Sequence, residues 1–170
     1  QEYLPKYFPD RKVLGVLIPA AETAAKYQSV GILATTGTVN SETFPTEIHK
    51  LNKRTKVFQN PAPMLVPLIE AGETKLARPF LAKYLQPFKN KKIEALVLGC
   101  THYPILKSEI KKLISKTTKI ISQDEIVPKS LKDYLARHPE IKKKLSKKST
   151  VKIFVTDKTP QIEKLVKKWF

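Results

Sequence analysis

A chain of 170 residues is long enough for one substantial core, or for one complete domain and part of another. Its 41% hydrophobic and 28% charged residues exclude a disordered polymer, and no apolar run nears the roughly 18 residues needed to cross a bilayer. The single cysteine excludes an internal disulfide, and a net charge of +17 admits nucleic acid, an anionic membrane or an acidic small molecule as partner.

The opening QEYLPKYFPDRK carries neither a basic leader nor a signal-peptide core, so the chain reads as cytoplasmic. From there, short β-branched runs alternate with stretches of helical period. Strands are expected at Lys12 to Ile18, Val30 to Thr35, Lys56 to Gln59, Ile93 to Gly99, Lys119 to Ser122 and Val151 to Thr156. Most are apolar on both faces, as befits strands covered by helices on both sides. Helices are expected at Ala20 to Gln28, Ser41 to Asn52, Pro63 to Ala71, Thr74 to Phe88, Ile105 to Ser115, Glu125 to Arg137 and Pro160 to Trp169. Ser41 can cap its helix, Gly72 can close the helix ending at Ala71, and Pro160 fits the first turn of the last one. The alternation predicts an α/β protein with a mainly parallel sheet flanked by helices.

In an open parallel sheet, ligands gather beyond the carboxyl ends of the strands. Two strand ends carry chemistry. After ILA comes TTGT, Thr35 to Thr38, whose hydroxyls and N–H groups suit a carboxylate or a phosphate, although Thr and Gly are also ordinary turn residues. After ALVLG comes CTHYP, where Cys100 sits at the strand mouth and Pro104 begins a helix with Ile105, Leu106, Ile110, Leu113 and Ile114 facing inward. A helix N-terminus favours thiolate and His102 can exchange protons with it, which makes a cysteine a base or nucleophile. An inert buried thiol is the alternative. His49 and His138 lie on polar helical faces, and the three histidines show no metal-site spacing, so no metal is expected.

The excess positive charge is concentrated near the end, where Lys129 to Lys168 hold thirteen Lys/Arg against four Asp/Glu. Runs such as KKKLSKK lack the aromatics that stack on bases, so a solvated surface is expected there, with neither nucleic acid nor membrane as partner. A non-catalytic basic module binding through this tail is the reading of another class. A steep salt dependence of DNA retention that survives Cys100→Ala would favour it.

LVLGCTHYPIL closely resembles the second catalytic-cysteine motif of the cofactor-independent glutamate racemases, within the wider aspartate/glutamate racemase group. VLGVLIPA, GILATTGTVNSETF, LVPLIEAGE and VKIFVTD are similar to other segments of the family in the same order, so the resemblance spans nearly the whole chain. It implies glutamate racemase activity supplying D-glutamate for peptidoglycan, by a two-base mechanism without a cofactor: one cysteine thiolate removes the α-proton of glutamate and a second cysteine returns a proton on the opposite face. Aspartate racemase is the alternative within the superfamily. By resemblance Cys100 matches the base usually assigned to the L-enantiomer, His102 the histidine that assists it, and Glu70 a carboxylate near the same cysteine. Thr101, Thr35 and Thr38 match substrate-binding positions. A homodimer is implied for the full-length protein.

The chain departs from the family at several points. The "Asp-Ser-Gly" turn and the first catalytic "Cys-Asn-Thr" motif are not among its residues, and Gln1 falls just after where that motif would lie. With one thiol, this chain is not expected to invert glutamate by itself. Ile18 stands where a glutamate is common, and Gln123 near a usual aspartate-serine pair. The resemblance further implies that residues 19–122 form one complete racemase-type domain, while residues 1–18 and 123–170 are elements of a second. The isolated chain is then expected to aggregate or to be partly disordered at its ends, which sharp, dispersed NMR signals from residues 150–170 would contradict.

Overall fold

The computed structural model describes residues 3–9, 11–148 and 150–169. In chain order these form α1 (Leu4–Tyr7), α2 (Leu17–Ala24), β1 (Ser29–Ala34), α3 (Thr36–Asn40), α4 (Thr43–Leu51), β2 (Lys56–Pro61), α5 (Leu65–Glu70), a 3-10 turn (Thr74–Leu76) and α6 (Ala77–Lys89). They continue with β3 (Ala95–Leu98), a second 3-10 turn (Tyr103–Leu106), α7 (Lys107–Leu113), β4 (Lys119–Ile121), α8 (Gln123–Arg137), α9 (Pro139–Lys142) and α10 (Pro160–Trp169). The expected α/β class, with parallel strands between helices, is what is found.

The four strands pair in parallel in the order β2-β1-β3-β4. From β1 the chain steps outward to β2, then crosses back past β1 to β3. The order therefore reverses between β1 and β3, and a crevice opens at the carboxyl ends of these two strands, where open α/β sheets bind ligands. The residues of β3 and nearly all of β1 are buried, which explains their unbroken apolar sequence.

Alternation along the strands divides the core between two faces. Leu33, Leu96 and Leu98 pack with Leu81, Leu85, Phe88 and Ile110 from α6 and α7. Val30, Ile32, Ala95 and Val97 pack with Ala20, Ala21 and Ala24 of α2 and with Phe44 and Ile48 of α4. Three alanines on α2 let that helix lie close against the sheet.

Two expected strands are absent. Residues 12–15 are irregular and helix α2 begins at Leu17, while residues 151–155 are irregular as well. Their β-branched sequence favours strand, yet a strand persists only where a neighbour completes its backbone hydrogen bonds. Among the described residues no strand does so, and the apolar side chains stand out: Leu14 is 51% exposed and Phe154 86%.

Smaller corrections concern helix ends. The expected helix from Ser41 starts at Thr43, because residues 35–41 form the separate α3 with its caps; Ser41 Oγ accepts from Thr43 N–H at 3.4 Å, outside the helix it was expected to cap. Ile105 was expected to face inward but is exposed, because Tyr103–Leu106 is a 3-10 turn and the apolar stripe resumes only with Leu106 and Ile110.

Gly72 behaves as its sequence position suggests. Its φ is +79°, its N–H donates to Ile69 O at 3.0 Å and Glu73 N–H donates to Leu68 O at 2.8 Å, a Schellman closure of α5. That closure fixes where the helix stops, and so where Glu70 is held. Gly72→Ala is expected to destabilise the fold by about 1 kcal/mol, because only the left-handed backbone is strained and open space surrounds the new methyl. Urea unfolding should show the midpoint falling at constant slope.

Candidate functional site

Local chain geometry brings two loops together at the β1/β3 crevice. The register pairs Leu33 with Leu98, and Gly99 N–H continues the ladder by donating to Leu33 O at 2.8 Å. A Cβ on Gly99 would lie 2.9 Å from Ala34 Cβ and 3.0 Å from a Phe44 ring carbon. Only glycine permits so close an approach, and it sets Thr35 and Cys100 on adjacent strand mouths, one residue beyond the contact.

On the β1 side, Thr35 is the N-cap of α3: its Oγ1 accepts from Thr38 N–H at 3.4 Å and lies 3.0 Å from Thr38 Oγ1. Two hydroxyls so paired hold two protons. One is spent between them, leaving the other for an outside acceptor such as a carboxylate oxygen.

On the β3 side, Cys100 is half-buried and His102 Nδ1 lies 3.8 Å from its Sγ. The opposite ring nitrogen, Nε2, is 3.0 Å from a Glu70 carboxylate oxygen at the end of α5. Carboxylate, imidazole and thiol thus stand in line, with Glu70 drawn from a segment 30 residues upstream of Cys100. A carboxylate on Nε2 favours the tautomer with its proton there, leaving the Nδ1 lone pair toward the thiol.

The expectation that a helix N-terminus lowers the thiol's pKa is corrected. Burial pushes Cys100 above the ordinary thiol range; backbone N–H groups of His102 and Tyr103 pull the other way, and the Glu70 charge adds to the rise. The helical segment nearest after Cys100 is only a four-residue 3-10 turn, too short to carry a substantial dipole. The ground state is a thiol, with an imidazole at hand to take its proton.

Tyr103 was not singled out from the sequence, and Gly99 was read only as the end of its strand. Tyr103 is fully buried and its hydroxyl donates to Ala62 O at 2.9 Å, clamping the cysteine loop to the chain leaving β2. An aromatic residue placed between His102 and Pro104 was the available signal. Burial raises the Tyr103 hydroxyl well above its usual range, so it stays a donor at every working pH. Tyr103→Phe should cost about 1–2 kcal/mol, since it strands a buried carbonyl as well as losing the bond. Faster alkylation of Cys100 in the folded variant would report the loosened loop.

Thr101 is exposed and, with His102, lines an open cavity of about 610 Å³. The other histidines stand elsewhere: His49 Nε2 is 3.0 Å from Thr55 O, and His138 pairs with Glu140 at 3.0 Å. Among the described residues, no group of three His, Cys, Asp or Glu side chains could hold a metal ion, and no helix is long and apolar enough to cross a membrane.

Residues 13–127 match the family described as Asp/Glu/Hydantoin racemase. A glutamate racemase from Persephonella marina is 38% identical over 163 residues, covering 92% of this chain and 59% of that protein. One from Lysinibacillus sphaericus is 33% identical over 165 residues, covering 92% and 61%. Among solved structures, glutamate racemase from Francisella tularensis in complex with D-glutamate superposes with a TM-score of 0.85 at 28% identity, over 97% of this chain and 62% of that one. The RacE1 isoform of Bacillus anthracis gives 0.83 at 28% identity, over 98% and 65%. The chain thus spans about three-fifths of the length of the curated relatives it matches.

Proposed function

This chain belongs to the Asp/Glu/Hydantoin racemase family, and we propose that it acts in the interconversion of L- and D-glutamate, supplying one of the two proton-transfer groups. The observation that carries the reading is the Glu70–His102–Cys100 line at the switch-point crevice. An α-carbon proton is weakly acidic, so its removal needs a base held against the carbon and donors for the carboxylate that takes up the developing charge. His102 Nδ1 accepts the Cys100 proton as the thiolate forms, and Glu70 stabilises the resulting imidazolium. The thiolate then takes the α-proton of L-glutamate. Thr35, Thr38 and Thr101 hold the substrate's carboxylates and amino group. In this reading no cofactor takes part.

Inversion requires an acid on the far face of the α-carbon, and this chain has no second cysteine to provide it. In this proposal residues 19–122 are a complete domain forming one wall of the active site, residues 1–18 and 123–170 belong to the other, and the full-length protein is a cytoplasmic homodimer. The relatives' glutamate racemase names favour glutamate over aspartate as substrate.

Incubation of the chain in deuterium oxide with each enantiomer, read by NMR at the α-carbon, tests the reading. The expected result is exchange from L-glutamate with little net inversion. Equal exchange from both enantiomers would argue against a one-sided base, and faster exchange with aspartate would shift the substrate assignment.

A further inference from the structure

Helix α3 carries Thr38, and the Thr35 hydroxyl caps its start, yet none of its five residues is buried. A helix so short has little stability of its own. Of its side chains, Val39 rests on the apolar core beneath and is itself only partly buried. The far end of α3 is held by polar contacts. Gln59 of β2 donates from Nε2 to the Glu42 carboxylate at 2.7 Å, and the same nitrogen lies 3.5 Å from Val39 O. Among the described residues, these are the only side-chain hydrogen bonds joining residues 35–42 to the sheet.

Two features show that this contact is kept at a cost. Glu42 has φ at +51°, in the left-handed region that glycine or asparagine occupies with less strain than glutamate. Turning the Gln59 amino group toward two acceptors also leaves its Oε1 buried and, among the described residues, without a donor. A left-handed junction between α3 and α4 needs no carboxylate, so the backbone does not account for glutamate at this position. The side chain does, by reaching from the turn to β2.

We infer that Glu42 is a positioning residue: through Gln59 it pins the end of α3 to β2 and so keeps the Thr35 and Thr38 hydroxyls aligned for a substrate carboxylate. It acts through the backbone, since Glu42 N–H donates to Val39 O at 3.1 Å and Val39 N–H to Thr35 O at 3.0 Å. The inference rests on the reading of those two threonines as substrate donors. The carboxylate is bound before and during proton removal alike, so loosening its donors should weaken substrate capture with little effect on the rate at saturation.

The test uses the wild-type chain, Glu42→Gly, Glu42→Ala and Glu42→Gln, with two readouts. Without substrate, amide hydrogen exchange at Val39 and Ser41, whose N–H groups close α3, should quicken about fivefold in Glu42→Gly and Glu42→Ala, the scale of one lost hydrogen bond. It should stay near wild type in Glu42→Gln, whose side-chain oxygen still accepts from Gln59. With substrate, the L-glutamate concentration giving half-maximal α-deuteration should rise about fivefold in the same two variants, with the saturated rate changing less than about twofold. The pH midpoint of Cys100 alkylation should not move. Glu42→Gly also relieves the left-handed strain, so it should resist urea better than Glu42→Ala and still show the same loss of affinity; a merely structural role would make affinity follow stability. Wild-type amide exchange in Glu42→Gly, Glu42→Gln as impaired as Glu42→Ala, or unchanged half-saturation where amide exchange has quickened would each overturn the inference. A wild-type chain that shows no saturable deuteration of L-glutamate would count against the assignment of the threonines, and the amide readout would still decide whether Glu42 pins α3.

Discussion

Cys100→Ala is expected to lower deuterium exchange at the α-carbon of L-glutamate by about 10³-fold or more, the scale on which a positioned base accelerates proton transfer. The fold should be unaffected, since the side chain is half-buried and only small volume is lost. Exchange retained in a folded Cys100→Ala chain would remove the role assigned to the thiol.

The pH dependence follows from the direction of the thiol's shift. Burial holds Cys100 protonated above the pH at which a free thiol ionises, and the Glu70 charge holds it further. Exchange should therefore rise with pH, with a midpoint above the ordinary thiol value of about 8.5, and flatten only beyond it. Glu70→Gln removes a negative charge near the sulfur, so the midpoint should move down while remaining raised, because burial is the larger cause. Iodoacetamide reaction of the folded chain, followed across pH, reads the thiolate directly and needs no substrate. A midpoint below the free-thiol value, or one moving up in Glu70→Gln, would contradict this account of the site's electrostatics.

The second large effect is expected at Gly99. A methyl there meets Ala34 Cβ, the Phe44 ring and Leu33 O, the last at 3.3 Å, and neither the backbone nor a residue inside the adjacent strand can retreat far. Gly99→Ala should destabilise the chain by about 1–3 kcal/mol, the usual cost of overpacking. Gly99→Val should cost more, and in both variants the Thr35 and Cys100 loops should be driven apart. Of these neighbours, Phe44 alone meets the methyl with the outer part of a side chain, although it is itself buried. Gly99→Ala combined with Phe44→Leu should then lose less stability than the two single changes together, a coupling that denaturant melts of the four chains would measure. Strict additivity would mean that the ring is not what the methyl strikes.

The sheet and its site differ in how far they could be read from sequence. Strands β1 and β3 were legible because burial on both faces leaves an unbroken apolar run. Lys12 to Ile18 and Val151 to Thr156 have the same local chemistry yet are not strands, since strand formation depends on a distant partner that no local window reveals. The helix closure at Gly72 was legible for the opposite reason: its geometry involves only six neighbouring residues. At the site, Cys100 and His102 stand two apart and could be paired by eye. The meeting of His102 with Glu70 needed the fold, and its only sequence signal was likeness to other proteins. The thiol's electrostatics were misjudged because burial is a three-dimensional quantity. Gln123 was visible as a departure from the family's usual residues, though nothing in its neighbours foretold that, among the described residues, no group would donate to its buried Oε1.

A wholly parallel sheet gives the molecule two unlike rims. Thr35, Cys100 and His102 all follow the carboxyl ends of β1 and β3, whereas residues 90–93 and 115–118 turn at the amino ends. The former rim holds the candidate site, while the latter offers a solvent-facing turn: Lys91 and Lys92 are exposed, Lys91 Nζ lies over the Phe58 ring, and Lys92 turns with φ at +47°. An epitope, a fluorophore attachment point or new termini made by circular permutation between these two lysines would sit a full strand length from the Cys100 sulfur. Such a graft could track the protein without touching its chemistry.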